Sequence, residues 1–340
     1  MRFCRAVMPV ILMSLAVYPV YGNESSTFGR SYRPQIHGTL RARYEMETER
    51  VNSRFQVRNA RVSINGNVGS AIDYLMQADF CDRGSFKMLD AWIGLKPTEW
   101  LKIQAGQQRM PFSVDASRAP HMFYFSNRSF IGKQVGNVRA VGLKFRTTLP
   151  KTSAYLEAGI FNTHGITDHI TWEREFTYSA KAGYVLHNVK AEIGMESVMP
   201  DSVRANLWDC SISWNCGRWM VEGEYVNKHF VHDRFRTCHA YNFMADYRMP
   251  LKNSMFNQLS FQGRFDGMTD HSSGKRNTAG LLHCTDPGRN RITVGTTLSY
   301  IKSPLRADLR LNYEKYFYHH GLDAPDGDRD KVTVELVVRF

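Results

Sequence analysis

The sequence predicts an all-β protein, a closed transmembrane antiparallel β-barrel of about sixteen strands, and three observations support this fold. Apolar and polar residues alternate along most of the chain, as they do on a strand with two different faces. About sixteen such segments can be counted, with lengths near the 9–11 residues of a tilted membrane strand. The connections between them alternate in length, as expected when turns lie on one side of a membrane and loops on the other.

The composition excludes two other classes of protein. The chain has 340 residues, 44 Lys and Arg against 32 Asp and Glu, and a formal net charge of +12. No stretch beyond the N-terminus reaches the ~20 apolar residues of a spanning helix, which excludes a helical membrane protein. A hydrophobic content of 43% without low-complexity tracts argues against disorder. The mean hydropathy of −0.40 fits a barrel, because only one strand residue in two faces lipid.

The first 22 residues resemble a secretory signal peptide. Arg2 and Arg5 precede an apolar run over residues 6–17, and Gly22 offers a small residue at the cleavage position. The alternative is a buried N-terminal strand. We therefore expect an exported protein with a signal peptide over 1–22, a lead-in over 23–35 and a barrel over 36–340.

The strands follow from the alternation, which is clearest at the C-terminus, where Val332 and Leu336 share one face and Thr333 and Glu335 the other. A terminal aromatic residue, Phe340, also resembles the end signal of barrels inserted into outer membranes. The predicted strands are 36–46, 54–66, 72–80, 89–97, 101–108, 138–149, 153–161, 175–186, 189–198, 205–214, 218–228, 239–249, 256–267, 290–301, 305–317 and 331–340.

The connections fall into two classes. Short turns are predicted at 66–71, 97–100, 150–152, 187–188, 215–217 and 302–304, and longer stretches at 109–137, 162–174, 229–238, 268–289 and 318–330. Aromatic residues near the strand ends are expected to form the girdles of a membrane barrel. They are Trp92, Trp100, Tyr155, Trp208, Trp214, Trp219, Tyr300 and Tyr313. Sixteen strands enclose a lumen wide enough for an aqueous channel.

The longest connection, residues 109–137 (the long loop), is expected to fold into this lumen. It contains Arg109, Arg118, Arg128 and Lys133 but one acid, Asp115, together with an aromatic block at 123–125. Loops of this length inside a compact domain are usually functional, and rings of charged side chains commonly set channel selectivity. The alternative is a solvated external loop.

The first half of the chain also resembles a known family. The resemblance rests on RNARVSINGNVGSAIDYLMQADF (58–80), LDAWIGLKP (89–97), LKIQAGQQRMPFS (101–113), NRS (127–129) and VRAVGLKF (138–145). Over about residues 36–150 these segments are similar to the phosphate-selective porin O and P family. The resemblance implies a sixteen-stranded, trimeric porin whose third loop bends inward and whose basic residues line a path for anions such as phosphate. It assigns those roles to Arg58, Arg61, Arg109 and Arg128.

The charge pattern agrees with an anion path in the first half of the barrel. The basic residues with lumen parity there are Arg41, Arg43, Arg61, Lys102, Lys144 and Arg146. Arginine suits phosphate oxygens because its donors form a planar fork, whereas lysine is a point charge. Arg58 needs a bulge near Asn59 to turn inward, and Arg139 is expected at the rim. The alternative for each arginine is a salt bridge inside the wall or a contact with lipopolysaccharide phosphates.

The second half differs, because acidic residues with lumen parity appear there as well. Together with Glu157 they are Glu192, Glu196, Glu222 and Glu224. The basic bias therefore belongs to the first half of the wall, which favours a general anion preference over strict phosphate selectivity.

Other chemistry is weakly indicated. Cys210 and Cys216 either pair across a tight turn or are packed thiols. His319 and His320 precede Asp323, Asp326, Asp328 and Asp330 in an external loop where a metal ion is conceivable, although a solvated acidic loop is the simpler interpretation. The catalytic, nucleotide and zinc motifs are missing, and the spread of charge does not indicate nucleic-acid binding.

The sequence thus predicts a porin in the outer membrane of a Gram-negative-type cell, with outer-membrane lipid and lipopolysaccharide as its surroundings. Small hydrophilic solutes, anions above all, would diffuse passively past arginine and lysine at the loop, with no cofactor, metal or catalytic group. Replacing Arg118, Arg128 and Lys133 by alanine is expected to reduce or reverse the anion preference. The rival interpretations are an enzyme or adhesin built on a barrel with a closed lumen, and a soluble secreted β-protein.

Overall fold

The computed structural model describes residues 33–340 except 83, 137–138, 151, 164, 167–170, 173, 202, 253–254 and 322–323. The predicted signal peptide and residues 23–32 of the lead-in lie outside the described residues. All helices that are described are short, and none is long and apolar enough to cross a membrane.

Sixteen antiparallel strands form one closed barrel, in which each strand pairs with its neighbours in sequence and the last pairs with the first. The closing register runs from Thr39 opposite Arg339 to Glu47 opposite Lys331. The strands are β1 (Gln35–Glu47), β2 (Ser53–Val68), β3 (Ile72–Asp82), β4 (Ser85–Thr98), β5 (Leu101–Arg109), β6 (Arg139–Thr148), β7 (Ala154–Phe161), β8 (Thr177–Leu186), β9 (Val189–Asp201), β10 (Val203–Cys216), β11 (Trp219–Phe230), β12 (Cys238–Pro250), β13 (Gln258–Met268), β14 (Arg289–Lys302), β15 (Leu305–Tyr318) and β16 (Lys331–Arg339).

Every predicted strand is confirmed, with shifted ends. The largest shifts lengthen strands toward the loops: β4 begins at Ser85 and not at 89, and β9 continues to Asp201 and not to 198. Closure leaves no strand edge unpaired, which is the condition for a sheet in a medium that offers no hydrogen bonds.

The connections lie on two rims. One, the turn rim, has connections at 69–71, 99–100, 149–153, 187–188, 217–218, 251–257 and 303–304. The other, the loop rim, has connections at 48–52, 83–84, 110–138, 162–176, 202, 231–237, 269–288 and 319–330. All predicted long loops are on the loop rim. Three connections there are nevertheless short, at 48–52, 83–84 and 202, because their strands extend further than predicted.

The outer face of the barrel is apolar and the inner face is polar, the reverse of a soluble protein. Ile193, Phe243 and Leu336 are half or more exposed on the outside, and the inner face contains the buried charged residues. This arrangement suits lipid outside and water or polar groups within.

The predicted aromatic girdle is partly wrong. Trp208, Trp214 and Trp219 are exposed on the outer face, and Trp100 is exposed in the turn at 99–100. Trp92 instead faces the lumen, where the Lys102 ammonium lies 4.4 Å from its ring centroid. Tyr155 also points inward and donates a hydrogen bond to Glu192. Both rings have lumen parity on their strands, which their position near a strand end does not override.

The barrel closes at its C-terminus around Phe340. The Phe340 carbonyl accepts a 2.8 Å hydrogen bond from the Gly38 amide. A Cβ on Gly38 would lie 2.2 Å from the Phe340 ring, so only glycine allows the ring to cross β1 at this point. The terminal aromatic residue is thus packed into the seam of the barrel.

Of the two alternatives left open for Cys210 and Cys216, the disulfide is excluded by the structure, and neither thiol is packed in a core. Both belong to the continuous strand β10, six positions apart, and both are free and exposed. At about 3.3 Å per residue, their Cα atoms are separated by roughly 20 Å, far beyond the reach of a disulfide.

Candidate functional site: the lumen and the long loop

The long loop fills much of the lumen. It follows β5, whose last residue is Arg109, and forms the short helix α1 (Val114–Ser117), a 3-10 turn (Pro120–Met122) and a π-helical turn (Ile131–Val135). Phe112, Phe130 and Ile131 are buried in the main hydrophobic cluster, together with residues of the surrounding wall. The loop is therefore folded inward and packed.

Two glutamates of β11 hold the first limb of the loop. Glu224 accepts hydrogen bonds from the amides of Val114 and Asp115 at 2.7 and 3.1 Å, where α1 presents unpaired N–H groups. Glu222 pairs with Arg118, which also lies 3.1 Å from Asp115. Both glutamates point into the lumen, as their parity predicts, and there they contact the loop.

Arg128 joins the two limbs of the loop. Its guanidinium donates to the carbonyls of Asp115, Ala116 and Arg118 at 2.5–2.9 Å and lies 4.4 Å from the Phe123 ring centroid. Burial, with the nearby charges of Arg61 and other arginines, lowers its pKa against the attraction of Asp115.

The second limb rests on a buried ionic network of the opposite wall. Arg291 lies 2.8 Å from Asp266 and 3.3 Å from Glu314, and all three side chains are at most 1% exposed. Asp266 accepts the Phe130 amide at 3.0 Å, and Arg291 donates to the Arg128 carbonyl at 2.7 Å. The charges of this wall therefore bind loop backbone.

The two β1 arginines are also engaged with the loop. Arg41 is paired with Glu335 at 2.6 Å and donates to the Ser126 carbonyl. Arg43 lies 3.0 Å from Glu45 and donates to the Asn127 side chain at 2.9 Å. Both are buried.

Further contacts tether the loop at the loop rim. Lys133 pairs with Asp328 at 2.9 Å, and the Gln134 amide donates to Asp286 at 2.8 Å. Asp328 and Asp330 belong to the acidic loop for which the sequence offers a metal site as an alternative, and Asp330 pairs with Lys315 at 2.6 Å. Asp323 lies outside the described residues. Among those that are described, no three potential ligands form a metal-binding group.

The long loop divides the lumen into two unequal walls. On strands β8–β16 most inward side chains are buried, including Arg264, Arg310 and Glu335. On strands β2–β7, the open wall, several remain accessible: the side chain of Arg61 is 14% exposed, that of Lys102 23% and that of Arg146 50%. The accessible charged side chains at mid-lumen therefore lie mainly along the open wall.

Most charges of the open wall are paired. Arg61 lies 2.8 Å from Asp79, Lys102 2.6 Å from Asp73 and Arg146 3.0 Å from Glu157. Arg139, expected at the rim, lies 3.1 Å from Asp90. The predicted bulge is present, because the β1–β2 register shifts between Arg41 and Ala42 and leaves Arg58 out of the ladder. Arg58 lies 3.8 Å from Asp82 near the loop rim.

Three cations of this region have no ion-pair partner among the described residues: Arg109, Arg128 and Lys144. Arg109 has a buried Nη1 without a hydrogen-bond partner, and its guanidinium is repelled by Arg139, Arg128 and Arg61 and attracted by Asp90. Three of the four residues that the family motifs single out, Arg61, Arg109 and Arg128, are thus brought together.

Sequence reasoning missed two residues near this cluster. Arg339 and His121 line a cavity with Arg61. Arg339 alternates with the apolar residues of β16, so its parity could have identified it. His121 belongs to the irregular loop, where no periodic signal exists.

Comparisons with known proteins agree with this architecture. The family model described as phosphate-selective porin O and P matches residues 34–193. No curated protein matches the chain in sequence.

Solved structures resemble the whole barrel at low identity. The chain is similar to the anion-selective porin from Comamonas acidovorans (TM-score 0.64, 13% identity, 91% of this chain and 99% of that one). It is similar to Salmonella typhi OmpF, solved with daunomycin (TM-score 0.62, 13% identity, 91% and 98%). It also resembles the outer-membrane channel DcaP of Acinetobacter baumannii (TM-score 0.61, 12% identity, 91% and 97%). At these identities the matches establish the fold.

The family match and the closed barrel together indicate an outer-membrane location and a channel rather than an enzyme. Over residues 34–193 the chain bears the sequence signature of the phosphate-selective porin O and P family, on a porin-type barrel of sixteen strands.

Proposed function

We propose that this protein is an outer-membrane porin for the passive diffusion of small hydrophilic solutes, with a preference for anions. The observation that supports the proposal most is the surplus of positive charge where the open wall meets the long loop. Arg109, Arg128 and Lys144 have no ion-pair partner among the described residues. A solute that crosses this region meets cations without a directly paired carboxylate in a partly desolvated space, where attraction is stronger than in bulk water.

The path follows the open wall from the loop rim to the turn rim. Arg58 lies at its entrance, and the residues along it are Arg61, Lys102, Arg109, Arg128, Lys144 and Arg146. Arg61, Lys102 and Arg146 are already paired with carboxylates, so each of these three offers an anion only a weak site. Successive weak sites allow passage, whereas one tight site would retain the ion.

The other four predicted path residues have a different role in this proposal. Arg41, Arg43 and Arg118 hold the loop against the barrel, and Lys133 ties it to the loop rim. They affect selectivity only by fixing the shape of the passage.

The descriptions of similar proteins also support a channel that prefers anions. The Comamonas acidovorans protein is described as anion-selective, and the matching family as phosphate-selective, which makes phosphate the first solute to test. A trimer form is described for Vibrio cholerae OmpT, another structure of this fold. An apolar groove on the outer face of β1, β2, β15 and β16, lined by Tyr44, Phe55 and Leu336, suits contact with a second subunit, and we include a homotrimer in the proposal.

The test is the reversal potential of the refolded protein in a planar bilayer under a KCl gradient, followed by addition of phosphate. We expect an anion-sided potential and a conductance that phosphate reduces. A cation-sided or unselective potential would contradict the anion preference, although it would still be consistent with a porin.

A matched pair of lysines tests the path itself. Lys144→Gln removes an unpaired charge of the open wall and is expected to move the reversal potential toward the cation side. Lys133→Gln, which removes a charge bound to Asp328 at the loop rim, should leave it nearly unchanged. Equal shifts in both variants would contradict the proposed path.

A second candidate function rests on the inner face of β8–β16, where most side chains are buried. A barrel that serves as a scaffold for an enzyme or adhesin would have a closed lumen. Correctly folded protein without conductance would support that function over the porin.

A further inference from the structure

A cavity on the turn-rim side of the long loop is not explained by the contacts that hold the loop. It has a volume of about 110 Å³ and is enclosed by the inner faces of β16, β1, β2 and β3 and by the loop at Pro120–Met122. Its lining residues are His37, Thr39, Arg61, Ser63, Gln77, Ala119, Pro120, His121 and Arg339. No carboxylate is among them.

The strand register explains why two arginines reach this cavity. Thr39 of β1 pairs with Arg339 of β16 on one side and with Arg61 of β2 on the other. With strands about 4.8 Å apart, the Cα atoms of the two arginines are roughly 10 Å from each other. Next to this row, Ser63 pairs with His37 and with Gln77. Two guanidinium groups therefore flank hydroxyl, imidazole and amide groups.

The cavity has an excess of positive charge. Arg61 is paired with Asp79 through its Nε, but Arg339 has no ion-pair partner among the residues that the structure describes. The carboxylates of the adjacent wall are engaged elsewhere, since Asp308 binds Arg306 and Arg310 at 3.0 and 3.1 Å.

The positive charge around the cavity affects the pKa of His121. Its Nδ1 lies 3.5 Å from the Thr39 hydroxyl. Burial and the charges of Arg339, Arg306, Arg310 and, more weakly, Arg61 lower its pKa to about 4. The ring is consequently neutral at ordinary pH, and an imidazolium there would require a compensating negative charge.

We propose that this cavity is a second anion subsite, which holds a small tetrahedral oxyanion between Arg61 and Arg339. The inference rests on the proposed function, because the cavity adjoins the open wall. Guanidinium forks match the oxygens of such an ion, and Thr39, Ser63 and Gln77 add neutral donors that a halide would not fully use. The volume is well below the roughly 300 Å³ of the smallest sites for drug-sized ligands, which excludes a nucleotide.

The site couples anion binding to the proton on His121. A bound dianion favours the imidazolium, so it raises the His121 pKa, and by reciprocity a lower pH tightens anion binding. The charged groups that act on the ring are the four arginines named above, of which Arg61 and Arg339 line the cavity together with Thr39 and His37. None of these is acidic, so the sign of the coupling is set by the bound anion.

The first test is inhibition of chloride conductance by sulfate, which stays a dianion from pH 5 to 8. We expect the half-blocking sulfate concentration to rise about tenfold in Arg339→Gln, the scale of one charge-assisted hydrogen bond. The control Arg248→Gln removes another inward arginine near the turn rim, outside this cavity, and should leave the block unchanged. An anion-sided reversal potential with a sulfate block insensitive to Arg339→Gln would overturn the subsite alone, whereas an unselective wild-type potential would overturn the proposed function.

The second test does not depend on conduction. NMR titration of the histidine rings in the refolded protein should show one imidazole with a pKa near 4 that rises when sulfate is added. His121→Asn should remove that resonance and the pH dependence of the sulfate block while preserving the fold. A sulfate-independent pKa of His121 would overturn the inference.

Discussion

The two walls of the lumen have a similar pattern of alternating charged residues and yet use it differently. On the packed wall, β8–β16, Arg291 is 1% exposed and binds both carboxylates and loop backbone. On the open wall, β2–β7, Arg146 is 50% exposed and has a single carboxylate partner, Glu157. Arg291 lies against the long loop, whereas Arg146 lies near the turn rim, as the half-exposed Arg306 of the packed wall also does. A charged residue of a barrel lumen is therefore structural or functional according to what packs against it.

Burial also sets the energy of each pair. Charges in the packed wall have lost their water, so removal of one partner leaves an uncompensated buried ion. On the open wall the Arg146–Glu157 pair keeps part of its hydration and is expected to contribute little. Variants of equivalent residues in the two walls should thus differ strongly.

The largest effect is expected for Arg291→Ala. Loss of its contacts with Asp266 and Glu314 should lower the free energy of unfolding by about 3–5 kcal/mol, measured by denaturant unfolding of the refolded barrel in detergent. Arg146→Ala is the matched control and should cost less than about 1 kcal/mol. Equal losses in the two variants would show that the walls do not differ in the way described.

A smaller effect concerns His121 in the 3-10 turn of the long loop, whose ring is affected by the charges of four arginines. Its pKa falls from 6.5 to about 4 on folding, so between these values the unfolded chain binds a proton that the folded protein does not. The free energy of unfolding should therefore rise with pH across this window, by less than ~1.4 kcal/mol per unit because the ring is partly exposed.

The His121→Asn variant should flatten that slope. His187→Asn, at an exposed turn, is a suitable control, since asparagine tolerates the positive φ of 51° at that position. The slope in this control should equal that of the wild type. A wild-type slope that persists in His121→Asn would contradict the assignment.

The smallest effect is expected at the loop rim. Lys133→Ala removes a pair with Asp328 whose side chains are 41% and 22% exposed. The loss of stability should be roughly 0.2–1 kcal/mol at low salt and should shrink at high salt. A loss as large as that of Arg291→Ala would mean that this tether, and not the buried network, holds the loop.

The period-2 pattern predicted the strands because one face of each strand must meet lipid, a condition that residues near in sequence already express. The same pattern placed Glu222, Glu224, Arg41 and Lys144 in the lumen. The pattern could not predict that Arg41 is buried against the loop and Lys144 is not, because the burial of Arg41 depends on Ser126 in a distant and irregular segment. Nor could it find His121, whose partners come from four strands remote in sequence.

The girdle shows the opposite error. Residue type and position near a strand end predict that Trp92 and Tyr155 lie at the membrane interface, although their parity directs both rings inward. Residue type gave the wrong location for the two rings, because the alternation of the strand decides which face a side chain is on. The contacts of Trp92 with Lys102 and of Tyr155 with Glu192 follow from that alternation.

The central claim is that solutes pass along the open wall, and two isosteric substitutions test it most directly. Ser63 lies on the inner face of the open wall and lines the cavity, whereas Ser260 lies on the packed wall and is 3% exposed. In a background with the native cysteines replaced by alanine, an anionic methanethiosulfonate reagent should lower the single-channel conductance of Ser63→Cys and leave that of Ser260→Cys unchanged. A drop in Ser260→Cys with none in Ser63→Cys would place the passage on the other wall and contradict the account.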